Sequence, residues 1–347
     1  ARTHQPAATS QQPAATSPQQ QQHKRPRGQI IDDRAAHIYR MRPDGTELDS
    51  IMAGGMDNPV GMAFSDTGEV FFTTTFYSHP RSGNRDALVH AVYGGLYPKD
   101  WSILDKLTRT GDLMPPLSHL GPAAPCGLAV YESAVFGKGF TGNLFTCQFN
   151  MHKVQRHVLT PSGAPFTSRD SDFLVSDNPD FHPTDVFEDA DGSLLVVDTG
   201  GWYKLCCPTS QIAKPEVLGG IYRIRRTGAK LPEDPRGLKL DWPKLKASQT
   251  AGLLDDARPF VRHRAMHHLG QQGQAGRLQV LKTFKENRDE TEKRTGKRPD
   301  IDDTTKLFMQ KVLNVWLSEG RDIDDEKFWN AVDHNKQFDY PVEYYER

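Results

Sequence analysis

Several things are scarce in this sequence, and each scarcity narrows the reading. There are 4 cysteines in 347 residues, too few for a disulfide scaffold at this length. Net charge is almost nil, with 43 Lys and Arg against 44 Asp and Glu, so no global field draws the chain to nucleic acid or to an anionic membrane. No run of about 18 apolar residues occurs, which argues against a transmembrane helix. A Cys-x-x-Cys-His run is also missing, so no covalent haem site is expected. No apolar signal segment stands at the start, which lacks Met.

What is present falls into three regions. Residues 1–28 are mostly Gln, Pro, Ala, Thr and Ser and end in a small basic cluster; such a stretch cannot bury enough apolar surface to offset its ordering entropy and is expected to be a disordered arm. Residues 29–226 carry short apolar runs bounded by Gly, Pro and Asp, the signature of strands. The runs are His37 to Met41, Val60 to Phe64, Val70 to Phe72, Gly127 to Tyr131, Asn143 to Thr146, Val154 to Leu159, Thr184 to Phe187, Leu194 to Val197 and Ile221 to Ile224. Residues 227–347 change to helical spacing: Leu254, Val261, Ala265 and Leu269 share a face, Pro259 suits a helix start, and Gly270 suits its end. A second helix is expected from about Asp303 or Thr304, carrying Leu307, Phe308, Val312, Leu313 and Trp316.

Within the β region a degenerate unit recurs. Asn58-Pro59-Val60-Gly61-Met62-Ala63-Phe64 leads through Asp66-Thr67-Gly68 to a strand. Pro125-Cys126-Gly127-Leu128-Ala129-Val130 leads through Gly142-Asn143, and His182-Pro183-Thr184-Asp185-Val186-Phe187 leads through Asp191-Gly192. Repetition of a β unit points to a propeller, with an all-β sandwich as the alternative. At about 40–45 residues per blade, the stretch from 36 to 226 holds about four, and 77–124 reads as an insertion. The expectation is therefore a mainly β chain, a partial or six-bladed β-propeller followed by an α-helical HEAT-like segment; if the ring has six blades, some lie upstream.

Several stretches resemble a known family. They are His37-Ile38-Tyr39-Arg40-Met41-Arg42-Pro43-Asp44-Gly45, Gly54 to Gly61, Arg85 to His90 with Val92-Tyr93-Gly94-Gly95, and Thr184-Asp185-Val186 through Asp198-Thr199-Gly200-Gly201-Trp202-Tyr203 to Arg223. In this order they resemble the propeller of the membrane-bound dehydrogenase family, distant relatives of the glucose/sorbosone dehydrogenases. The span from Asp255 to Gly270 is similar to a HEAT repeat that follows that propeller. The resemblance implies a six-bladed propeller, pyrroloquinoline quinone as cofactor, a sugar or alcohol substrate, and a periplasmic or secreted location. One departure is specific: where the quinone-dependent sugar dehydrogenases carry Arg-Asn-Pro-Gln-Gly, this chain has Ala123-Ala124-Pro125-Cys126-Gly127.

Candidate chemistry follows from residue types. Oxidising an alcohol needs a base, and His90 with Asp86 to orient it and Arg85 to hold an oxygen forms one candidate group. Trp202, Tyr203 and Lys204 suit a planar anionic cofactor or a sugar face. Asp185 and Asp198, at neighbouring strand ends, are candidate Ca²⁺ ligands, with His182 the weakest member. Cys206 and Cys207 are adjacent and could be a vicinal disulfide, metal ligands with Cys126 or Cys147, or reduced thiols; no Cys-x-x-Cys supports zinc. His263 and His267 share a helix face. Three functions are open: a sugar or alcohol dehydrogenase, a non-catalytic module holding a glycan or a protein (the latter through the helical region), and a Ca²⁺-dependent lactonase-like hydrolase.

Overall fold

The computed structural model describes residues 36–42, 45–54, 58–74, 85–97, 110–163, 165–201 and 214–272, with two short strands before them and a few residues between 276 and 294. In chain order the strands are β1 (His23–Lys24), β2 (Ile30–Ile31), β3 (Ala36–Arg40), β4 (Asp49–Gly54), β5 (Met62–Phe64), β6 (Val70–Thr74), β7 (Asp86–His90) and β8 (Leu96–Tyr97). They continue as β9 (Ser118–Gly121), β10 (Pro125–Val130), β11 (Leu144–Gln148), β12 (Lys153–Pro161), β13 (Phe166–Val175), β14 (Pro183–Glu188), β15 (Leu194–Asp198) and β16 (Gly220–Ile224). Helices α1 (Ala247–Gly252) and α2 (Pro259–Gln271) follow.

The chain is mainly β. β1 pairs with β2, and four larger sheets form in succession: β3-β4-β8, β5-β6-β7-β9, β10-β11-β12-β13 and β14-β15-β16. Neighbouring strands are antiparallel except β4 with β8. The turns expected from Gly-containing clusters are hairpin turns: Gly68 N–H donates to Ser65 C=O at 3.0 Å, and Gly192 N–H to Asp189 C=O at 2.8 Å. Every apolar run singled out in the sequence contains a strand.

Side chains alternate across a strand, so consecutive residues of one strand enter different cores when both faces are covered. On β7, Ala87 and Val89 join Ile38, Met52, Phe72 and Tyr97, while Leu88 joins Phe71, Ala63, Leu128 and Leu144. In the next sheet Leu144 belongs to that second core, whereas Phe145 and Cys147 join Val186, Leu194 and Val196 of the sheet beyond. Leu88 and Val89 are completely buried, and each contributes about 1.5–3 kcal/mol. Three cores in series between four sheets exclude the sandwich, in which each sheet has one inner face.

The recurring glycines explain how the sheets fan. A Cβ on Gly61 would lie 2.4 Å from Cys126 C=O, and one on Gly127 would lie 2.3 Å from Asp185 Oδ1. The strands that open consecutive units thus approach backbone to backbone. Thr73 clasps the first contact: its Oγ1 accepts from Gly61 N–H at 2.9 Å and donates to Cys126 C=O at 2.7 Å.

Some expectations are corrected. The described residues of 77–124 are not an insertion, because β7 and β9 complete the second sheet and β8 returns to the first. Helix α2 begins at Pro259 as expected, but it runs through buried Gly270 to Gln271 and is capped at Gln272. Among the described residues the helical part builds one small cluster from Trp242, Ala251, Leu254, Val261, Ala265 and Leu269, and a HEAT repeat is not shown. The second expected helix lies outside the described residues, as do most of residues 1–28. Among the described residues no helix is long and apolar enough to cross a membrane.

Candidate functional site

His90 ends β7, opposite Phe71 of β6. It is 7% exposed, with its ring stacked on Phe71 (centroids 5.2 Å, 29° between planes) and edge-on to Phe166 (5.2 Å, 74°). Its Nε2 lies 2.8 Å from Glu69 Oε2. Glu69 leaves the Asp66-Thr67-Gly68 turn just before β6, and its side chain remains 43% exposed. An ionised Glu69 accepts the Nε2 proton, which assigns the lone pair of the neutral ring to Nδ1. That Nδ1 is buried and has no hydrogen-bond partner. An unmet buried polar atom costs about 1–3 kcal/mol, so its persistence calls for a reason.

The imidazole borders a cavity of about 1380 Å³. Tyr39, Met62, Phe64, Tyr93 and Met266 give it apolar faces. Asp66, Glu69, Glu132, Asp255 and Asp256 give it carboxylates, against the guanidinium groups of Arg40 and Arg262. A smaller cavity of about 440 Å³, lined by Tyr97, Met114, Pro115 and Phe166 among others, also touches His90. Helix α2 closes one side of the larger cavity: Arg262 Nη2 lies 3.2 Å and His263 Nε2 3.0 Å from Glu132 Oε2. Burial raises the Glu132 carboxyl, but His263 and Arg262 outweigh it and hold the group below its ordinary value. Beside it, burial pushes Glu188 up, although Glu188 accepts the N–H groups of Glu132 at 2.6 Å and Ser133 at 3.1 Å.

Arg85 and Asp86 stand at the other end of β7. Four residues at about 3.3 Å each separate Asp86 from His90 by roughly 13 Å. Asp86 is fully buried; Arg85 Nε and Nη2 donate to its two oxygens, both at 2.8 Å, and Ala124 N–H donates to Oδ2 at 2.7 Å. The structure therefore joins Arg85 to Asp86 but sets His90 apart from both, and the carboxylate at His90 is Glu69. Sequence reasoning missed Glu69 because only strand pairing brings it to His90.

His182 precedes β14 and Asp198 ends β15, while Asp185 stands within β14 facing Gly127 of β10. Asp198 Oδ1 accepts from His182 N–H and Gly200 N–H, both at 2.8 Å, and Asp185 Oδ1 accepts from Val186 N–H at 2.9 Å. His182 Nδ1 lies 2.9 Å from Gly200 C=O. Ca²⁺ takes six to eight oxygen ligands. Among the described residues no three His, Cys, Asp or Glu side chains converge for a metal, and a Ca²⁺ site is not shown there. Trp202, Tyr203, Lys204, Cys206 and Cys207 lie outside the described residues. Cys126 and Cys147 are free thiols; burial pushes Cys126 up to about 11 and Cys147 higher still, so both stay protonated and poor as ligands or nucleophiles. His267 Nε2 lies 3.0 Å from Gln271 Nε2, and with His263 on Glu132 the two histidines form no metal pair.

One further constellation looks catalytic and is not. Thr146 Oγ1 lies 2.8 Å from His157 Nε2, and His157 Nδ1 lies 2.8 Å from Asp170 Oδ1. Thr146 and His157 are wholly buried, and Ser118 and Ser168 hydroxyls also donate to Asp170. The chain ties β9, β11, β12 and β13 together.

Residues 14–226 match a family described as a domain of unknown function, DUF7133. The chain belongs to that family. A comparison with curated proteins finds no match. Solved structures similar to this DUF7133 protein include the PQQ-bound aldose sugar dehydrogenase of Streptomyces coelicolor, at 16% identity and TM-score 0.36 over 55% of this chain and 51% of that one. Another is the apo soluble aldose sugar dehydrogenase of Escherichia coli, at 19% identity and TM-score 0.32 over 45% of each chain. A third is the holo PQQ domain of pyranose dehydrogenase from Coprinopsis cinerea, at 14% identity and TM-score 0.32 over 52% of this chain and 56% of that one. The chain thus spans about half the length of these proteins.

Proposed function

We propose that this chain is a dehydrogenase-like propeller protein that binds a neutral sugar or alcohol beside His90, and that, once binding shifts the side chains covering Nδ1, the His90 imidazole takes the proton of a substrate hydroxyl. The observation that carries the reading is the buried ring with Nε2 fixed on Glu69 and Nδ1 unmatched. Carboxylates accept sugar hydroxyls, and the faces of Tyr93 and Phe64 suit the C–H side of a sugar ring. Glu69 stabilises the imidazolium that proton uptake creates. Hydrogen bonds to a catalytic base often tighten only once substrate is bound. The family resemblance supports the substrate class and an extracytoplasmic location.

Pyrroloquinoline quinone, the hydride acceptor that the resemblance implies, is a planar tricarboxylate. Arg262 and His263 answer Glu132 and Arg258 answers Asp256, but Asp66 and Glu69 keep negative charge beside His90 and repel such an anion, so the residues there do not fit it, and no step is routed through it. That misfit favours a second reading in which the cleft holds a glycan without chemistry.

The test is reduction of an artificial electron acceptor with aldoses and primary alcohols, with and without added quinone and Ca²⁺, beside calorimetric saccharide binding. Turnover that disappears in His90→Gln supports the first reading. Binding without turnover selects the second. Neither turnover nor binding overturns both.

A further inference from the structure

A groove of about 640 Å³ lies where the third and fourth sheets meet beyond β12, β13 and β16, and it shares no lining residue with the cavity beside His90. Phe136, Phe140 and Phe173 wall it, with Ile224. Phe136 and Phe173 lie 6.1 Å apart at 31°, and Phe140 stands edge-on to Phe136 at 5.8 Å and 86°. Three guanidinium groups border these rings: Arg156, Arg225 and Arg226.

Their charges differ in what answers them. Arg225 Nη2 meets Asp191 Oδ2 at 3.1 Å. Arg156 is held by neutral groups, donating from Nε to Asn143 Oδ1 at 2.6 Å and from Nη2 to Gly139 C=O, with its guanidinium 3.8 Å over the Phe140 ring. Arg226 Nη1 donates to Phe136 C=O at 2.7 Å. Neither Arg156 nor Arg226 has a carboxylate partner among the described residues. Gly137 seats Arg226: a Cβ there would fall 2.6 Å from Nη1, at a φ of +104° that other residues rarely adopt. Both guanidinium groups are thus held by neutral acceptors beside flat apolar walls, Arg156 half-buried and Arg226 open to solvent. Burial lowers the Arg156 pKa, and the charge of Arg169, of the same sign, lowers it further. A fixed guanidinium fork matches a carboxylate in geometry as well as charge.

We propose that this groove binds a planar aromatic carboxylate, whose carboxylate meets Arg156 and Arg226 and whose rings lie against Phe136, Phe140 and Phe173. Charge and shape each exclude other occupants: a neutral aromatic leaves the guanidinium groups unanswered, and a small anion leaves the rings uncovered.

Titration calorimetry with three probes separates these terms: 2-naphthoate, its neutral isostere 2-naphthalenemethanol, and acetate. The expected result is that 2-naphthoate binds at least about tenfold more tightly than either, and that Arg156→Met or Arg226→Met weakens it by about tenfold or more. Arg156→Lys, which keeps the charge and loses the fork, should weaken binding severalfold and serves if the Met variant does not fold. Equal affinity for the alcohol, equal affinity for acetate, or unchanged binding in folded variants would each overturn the proposal. Turnover or saccharide binding beside His90 is read separately, so failure of one proposal does not imply failure of the other.

Discussion

The two ends of β7 use the same residue types to opposite effect. At one end the Asp86 carboxylate receives a guanidinium fork and a backbone N–H, much as Asp198 at the end of β15 receives two backbone N–H groups on one oxygen. At the other end His90 has a carboxylate on one nitrogen and nothing on the other. A carboxylate surrounded by donors braces the chain segments that supply them. An imidazole oriented by a carboxylate and left with a free lone pair retains capacity for chemistry. What separates a brace from a site here is whether hydrogen-bonding capacity is filled, not which residues are present.

Four measurements sharpen or break that contrast. The largest effect is expected at the unfilled end: His90→Gln should lower turnover by about 10²–10⁴-fold, the range of a positioned general base, in a chain still folded by circular dichroism. Retained turnover would return His90 to the class of braces. Next, Asp86→Ala leaves the half-buried Arg85 guanidinium and the Ala124 N–H without their acceptor, and urea unfolding should show a loss of about 2–4 kcal/mol. A loss below about 1 kcal/mol would show that this end carries little.

The third prediction concerns Asp170. Burial raises its carboxyl, but the His157 hydrogen bond and charge, with the Ser118 and Ser168 hydroxyls, pull it from 3.8 down to about 2. A carboxyl depressed on folding contributes stability that is fully present above its unfolded value and is lost as pH falls through its folded value. Unfolding free energy should therefore drop by about 2 kcal/mol between roughly pH 4 and pH 2, and Asp170→Asn should remove that share of the slope. An unchanged slope in Asp170→Asn would contradict the assignment. The smallest effect belongs to the junction with α2. Glu132→Gln weakens its ties to Arg262 and His263, both partly exposed, and should cost about 1 kcal/mol or less, seen as faster amide exchange across Pro259–Gln271. Exchange confined to other segments would show that these ties do not hold the helix.

Legibility followed apolar pattern. Leu194 to Val197, bounded by Gly192 and Gly200, announces a strand on its own. β13 does not: as an outer strand its Ser168 to Asp172 segment is largely polar and exposed, so it offers no alternation to read. β7 was visible as part of a family motif yet was assigned to an insertion, since nothing local says which sheet a strand completes. The helix at Leu254 to Leu269 was legible because its buried face repeats at helical spacing. The sequence offers Asp86 as the partner of His90, four positions away along one strand, whereas the carboxylate at His90 is Glu69. On a strand that distance separates groups by roughly 13 Å, whereas on a helix it would join them.

The order of residues by itself determined where strands and turns form, that they recur as a unit, and where the helical part begins, because these depend on short-range periodicity and on Gly and Pro backbone limits. The tertiary structure alone decided which sheet each strand joins, that Gly61 and Gly127 let neighbouring sheets touch, that Glu69 serves His90, and that Arg156 and Arg226 lie unneutralised beside three phenylalanines. Those outcomes depend on what approaches each side chain from distant parts of the chain, and local spacing carries no record of it.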